Sequence, residues 1–115
     1  MKGISEKACM IRHGEKTICI FPSEAILRVL GKKYTLLIIG LLGNEKGMGF
    51  NKILESIGRP RANLLSMRFK ELEVLNLIQR KVIDRRPLVV EYSLTDRGCE
   101  LRDNLIQLFD WIEKN

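Results

Sequence analysis

Between two helical stripes the chain reads Gly58-Arg59-Pro60, and no other three residues constrain the fold more. Glycine ends helices in the left-handed conformation and proline is tolerated where helices begin, so two helices must meet across a very tight turn. The helix before the turn is predicted over 52–57, with Asn51 as cap and Ile53, Leu54 and Ile57 facing inward. The helix after it is predicted over 60–75. Its core stripe is Ala62, Leu65, Phe69 and Leu72, and Asn76 can take the left-handed conformation that stops it.

The segment after that helix pair narrows the choice. The β-rich runs 77–83 and 88–94 flank Asp84-Arg85-Arg86-Pro87, a hairpin pattern, and Thr95 then caps a long helix to Lys114. Leu101, Leu105, Leu108, Phe109 and Ile112 form one apolar stripe on that helix, which must be buried on its own domain or on a partner. Upstream, 8–12 and 17–21 read as a hairpin around His13-Gly14-Glu15-Lys16. Ser23 is placed to cap a helix ending at Gly31, and the helix over 34–42 is apolar nearly all round, hence expected at the buried centre. The fold class is α+β, mainly α: a winged helix-turn-helix with an N-terminal β-hairpin and a C-terminal dimerisation helix. A single domain is expected over 1–115, with the hairpin extension at 8–21, the helix-turn-helix at 51–75, the wing at 77–94 and the dimerisation helix at 95–114.

Charge falls where that arrangement meets a nucleic acid. The net charge is +6, and between Arg59 and Arg86 eight basic residues face three acidic ones. In a winged helix the second helix of the pair enters the major groove and the ribbon tip reaches the backbone or the adjoining minor groove. Arg59, Arg61, Arg68 and Lys70 therefore stand as phosphate contacts of the helix, and Arg85 and Arg86 as those of the wing. With the core stripe inward, the opposite face carries Asn63, Leu64, Met67 and Glu71. Asn63 suits adenine, and Leu64 and Met67 suit thymine methyls, which makes these three the base contacts. The alternative reading, a winged-helix protein-interaction module without duplex DNA affinity, rests on the same exposed Leu64-Met67 pair and the striped last helix.

Other classes are excluded by what is missing. The longest apolar run, 36–42, has seven residues and includes a glycine, short of the ~20 a bilayer span needs. The N-terminus shows no secretory signal, so a cytoplasmic protein is expected. Three widely spaced cysteines argue against a disulfide framework. Cys9, His13 and Cys19 offer three metal ligands with no fourth, so no metal and no cofactor are expected. The only histidine lies in a turn, there is no Gly-rich phosphate loop, and no catalytic constellation is apparent, so the chain is not read as an enzyme. Glu71 and Glu73 are taken as solvated helix-surface acids.

Several stretches resemble the HxlR-type transcriptional regulators, a branch of the winged-helix proteins related to MarR-type dimers. They are LGKKYTLLIIGLL at 30–42, GFNKIL at 49–54, MRFKELEVLNLIQR at 67–80, PLVVEYSLTDRGCEL at 87–101 and LFDWI at 108–112. The resemblance implies a homodimer held by terminal helices on a pseudo-palindromic operator. It also implies effector sensing through a cysteine just before the first helix. Phe21 occupies that position here, and Cys19, two residues earlier in an apolar run without an adjacent base, is the remaining redox candidate. Tyr34 stands where the family has tryptophan, Gly49 where it has arginine, and Arg59-Pro60-Arg61 where it has Gly-Ile-Ser, so no operator preference carries over.

Overall fold

A computed structural model describes residues 10–115. The chain opens with a hairpin of β1 (Met10–His13) and β2 (Lys16–Cys19), in the register Met10↔Cys19 to His13↔Lys16. Gly14, at φ 61, makes the reversal in two residues rather than the four expected. Ala8 and Cys9, part of the predicted hairpin, lie outside the described residues. A 3-10 turn over Phe21–Ser23 runs directly into α1 (Glu24–Leu30). Ser23 occupies the cap position but makes no capping bond, because its backbone is already right-handed (φ −87, ψ −10) where a cap needs extended geometry.

Helix α2 (Thr35–Asn44) buries Thr35, Ile38, Ile39 and Leu42. Its other apolar face is not covered: Leu36 and Leu37 are exposed, so only half of the expected central burial is met within the chain. The chain then forms β3 (Met48–Gly49), a short strand that the sequence reading leaves unassigned. Gly49, extended at φ −75 and ψ 156, caps α3 (Phe50–Ser56), and the expected cap Asn51 lies inside the first turn.

The tight turn is wider than predicted. Gly58 (φ 87) and Arg59 (φ 54) are both left-handed, and Arg61 is still extended (ψ 133), so α4 begins at Ala62 rather than Pro60 and runs to Val74. Ala62, at that first position, is exposed and does not join the core stripe, whereas Leu65, Phe69 and Leu72 do. After left-handed Asn76 (φ 58) come β4 (Ile78–Arg85) and β5 (Leu88–Leu94), and then α5 (Asp96–Lys114).

Those strands form a three-stranded antiparallel sheet ordered β3-β5-β4, not a lone ribbon. Met48 pairs with Tyr92 and Gly49 with Glu91, which ties the start of α3 to the wing. Phe69 of α4 joins the layers. Its ring lies 5.7 Å from Phe50, edge to face, and 4.4 Å from Tyr92, so one side chain locks α4 to α3 and to β5. Removing it would cost about 3–5 kcal/mol, against ~1 kcal/mol for a lost cap, so packing rather than capping sets the position of α4.

Helix α5 does begin at its predicted cap. Thr95 Oγ1 accepts from Gly98 N (3.0 Å) and donates to Asn76 O (2.7 Å), closing both the helix start and the end of α4.

Candidate nucleic-acid interface

Helix α4 presents two faces, and the inner one holds a charge expected on the outer one. Arg68 is only 9% exposed. Its Nε donates to Lys33 O (2.9 Å) in the turn between α1 and α2, and its Nη1 donates to Glu71 Oε1 (2.9 Å) one turn along the helix. The other carboxylate oxygen of Glu71 takes the ammonium of Lys32. The Lys32 hydrogen bond, and behind it Arg68, hold the Glu71 carboxyl below the usual carboxylate range, against an opposing push from burial. Arg68 is therefore committed to the protein rather than to a phosphate, and Glu71 is paired, not a solvated surface acid. A periodic signal for this exists: 65, 68, 69 and 72 are one helical face, so position 68 belongs to the inward stripe despite its charge.

The outward stripe consists of Asn63, Met67, Lys70 and Val74, at spacings of four, three and four. Met67 is 55% exposed and Val74 85%, while Leu64 is half-buried at the edge. Asn63 is exposed, but its Oδ1 already accepts from Leu64 N (3.0 Å), so a bidentate grip on adenine requires that side chain to swing out. Arg61 stands exposed at the cap position, and no acidic residue occupies the first turn of α4, which leaves the helix start open to an anion. Arg59 is exposed in the turn, its Nη2 donating to Glu55 Oε1 (3.0 Å) on α3.

On the wing, Arg85 closes β4 opposite Leu88, and Arg86 with Pro87 makes the tip. Both arginines are exposed, and the amide of Arg86 donates to Asp84 Oδ1 (3.2 Å). The register shifts between Val82 and Asp84, a bulge that redirects the last residues of β4. Arg80 and Lys81 are exposed further down the strand. They belong to the basic surplus without being expected contacts, and strand alternation points them to opposite faces, so only one can join the tip in a common surface.

The stripe of α5 divides along its length. Leu101 and Leu105 pack against the core of their own chain. Between them Arg102 reaches α2, donating from Nε to Gly40 O (3.3 Å) and from Nη2 to Asn44 Oδ1 (2.7 Å). Leu108, Phe109 and Ile112 are exposed, together with Ile106 and with Trp111 at 62%. Ile106 and Phe109 line a groove of about 200 Å³ with Leu36 of α2.

Among the described residues no group of three His, Cys, Asp or Glu side chains is placed to hold a metal ion. Cys9 lies outside the described residues; His13 sits at the turn end and Cys19 at the open end, on opposite faces, separated by three residues or about 10 Å of strand. Cys19 is half-buried. Among the described residues no helix is long and apolar enough to cross a membrane.

Comparison with known proteins agrees with this architecture. The family model described as HxlR-like helix-turn-helix matches residues 29–115. An uncharacterized HTH-type transcriptional regulator of Halalkalibacterium halodurans is 36% identical over 100 residues, covering 87% of this chain and 88% of its own. The crystal structure of a possible HxlR family transcriptional factor from Thermoplasma volcanium superposes with a TM-score of 0.76 at 40% identity, covering 90% of this chain and 93% of that one. The reduced form of the transcriptional regulator YodB from Bacillus subtilis gives 0.75 at 30% identity, covering 84% and 93%. These relatives are transcriptional regulators, not enzymes. The chain belongs to the HxlR-like helix-turn-helix family of transcriptional regulators.

Proposed function

We propose that the chain is a homodimeric regulator that binds duplex DNA in a sequence-specific manner, with α4 in the major groove and the wing on the adjoining backbone or minor groove. The observation that carries this reading is that exposed basic side chains fall on both elements a winged helix brings to DNA. Arg61 stands at the uncapped start of α4, Lys70 on its outward stripe, and Arg85 and Arg86 at the wing tip, all of them exposed. Asn63 and Met67 supply the polar and apolar contacts to base edges, with Leu64 at their margin. Arg59 closes onto phosphate by exchanging Glu55 for the nucleic acid. Arg68 leaves the set of contacts, because withdrawing it would strand the Lys33 carbonyl and take from the Glu71 carboxylate one of its two cations.

The homodimer is supported by uncovered apolar surface. Leu36 of α2 and Ile106 and Phe109 of α5 line one groove and are exposed, Leu108 and Ile112 are exposed further along α5, and a second copy covering them would complete the burial that the sequence of α2 calls for. A two-fold dimer of this kind presents two copies of α4 to a pseudo-palindromic operator.

A mobility-shift series across salt tests the wing. Replacing both Arg85 and Arg86 with alanine is expected to weaken binding to all sequences and to flatten the salt slope by up to about two, since each phosphate contact contributes ~0.9. An unchanged slope removes the wing from the mechanism.

A further inference from the structure

Apolar packing holds α4 in place, but its direction is a separate question. Leu65, Phe69 and Leu72 fix how deeply the helix sits, while hydrophobic contact is non-directional and tolerates small rotations about the helix axis. Rotation matters here, because Asn63, Met67 and Lys70 lie on one narrow stripe and a single residue of rotation is about 100°.

We infer that Arg68, with Glu71 and Lys32, is a positioning group that sets the rotation of α4 on the body of the protein, so that DNA affinity depends on side chains that touch no DNA. The inference rests on α4 being the helix that meets DNA.

Four observations carry it. Arg68 spends its two observed hydrogen bonds, both 2.9 Å, on directions that diverge: one to the backbone of the α1–α2 turn and one to its own helix. A planar guanidinium bonded in two directions defines an orientation as well as a distance. The turn it grips is itself constrained, for Lys33 precedes Tyr34, which is left-handed at φ 74, and the Lys33 ammonium lies 5.0 Å from the Tyr34 ring centroid. From that same turn Lys32 reaches the second oxygen of Glu71, so α4 is tied to it at two points. Finally, Arg68 is nearly buried, and a buried guanidinium stripped of one partner is costly, which makes the arrangement close to all-or-none.

The test exploits a sign. Glu71→Met removes a negative charge from a helix facing a polyanion, and simple electrostatics predicts tighter binding. The positioning role predicts weaker binding, about tenfold, the equivalent of one charge-assisted hydrogen bond, with an unchanged salt slope. Fluorescence anisotropy on DNA selected from a random pool, across salt, reads both quantities. Arg68→Lys is expected to lose as much as Arg68→Met, because one ammonium cannot replace the two-way fork; a phosphate contact would instead tolerate lysine. Amide hydrogen exchange of the free proteins should be faster over 66–74 in Glu71→Met than in wild type. Raised or unchanged affinity in Glu71→Met overturns the inference, as does wild-type binding by Arg68→Lys. Should wild-type protein show no affinity for duplex DNA, it is the DNA reading that fails. The exchange measurement then decides alone, with unchanged protection of α4 overturning the positioning role and faster exchange upholding it as what holds the helix.

Discussion

Gly98 occupies a site with no room for a side chain. A Cβ built there would run into the carbonyl oxygen of Leu77 and press on the Leu94 side chain at 3.2 Å, and backbone cannot yield as a flexible side chain can. Gly98→Ala is expected to destabilise the protein by about 3 kcal/mol, the upper range for overpacking, as read by thermal or denaturant unfolding; a loss below ~1 kcal/mol would show that α5 shifts freely on the sheet. Glu71 gives a second prediction, on pH. Its folded carboxyl titrates below the ordinary value near 4.5, so its contribution to stability is present above that value and is lost as pH falls through the folded one. The stability gap between wild type and Glu71→Gln should therefore be widest near neutral pH and close below about 4.5; a gap that widens on acidification contradicts the pairing. Residues with local roles are legible in sequence: Thr95 and Asn76 do what capping and left-handed preferences predict. Arg68 is not, because its charge outweighs its place in the 65-68-69-72 stripe, and its partner at Lys33 lies 35 residues away, which no local pattern announces.

At the scale of elements, the long periodic segments are legible and the short ones are not. The stripes of α4 and α5 carry enough residues to show a period, and the wing strands form two β-rich runs on either side of a turn. Strand β3 has two residues and exists only because β5 offers it a partner, so the cap of α3 moves from Asn51 to Gly49 with it. The stripe of α5 looks like one surface in sequence, yet its inner half packs on its own chain and its outer half does not. That division yields a paired prediction. Leu108→Asp with Ile112→Asp should leave the protein folded by circular dichroism while halving its mass in sedimentation, since both side chains are exposed in the protomer. Leu101→Ala should instead lower stability by about 2 kcal/mol, with the assembly state of the folded fraction unchanged. A dimer that survives the double aspartate variant would move the interface elsewhere.

For the whole molecule, the order of elements is the strongest guide: two helices across a tight turn and then a ribbon is an arrangement few folds share, and the charge tracks it. Coverage is what sequence could not supply. The apolar character of α2 implies burial on all sides, but only the structure shows that Leu36 and Leu37 remain exposed, Leu36 in the groove that Phe109 of α5 also lines. The proposed two-fold dimer uses both kinds of exposed surface, the apolar side chains of α5 between copies and the arginines of the wing tip against DNA. Selection of bound duplexes from a random pool tests that most directly. A two-fold dimer predicts a pseudo-palindrome whose half-sites lie about ten base pairs, or one helical turn, apart. An asymmetric single site, or no enrichment at all, would contradict it.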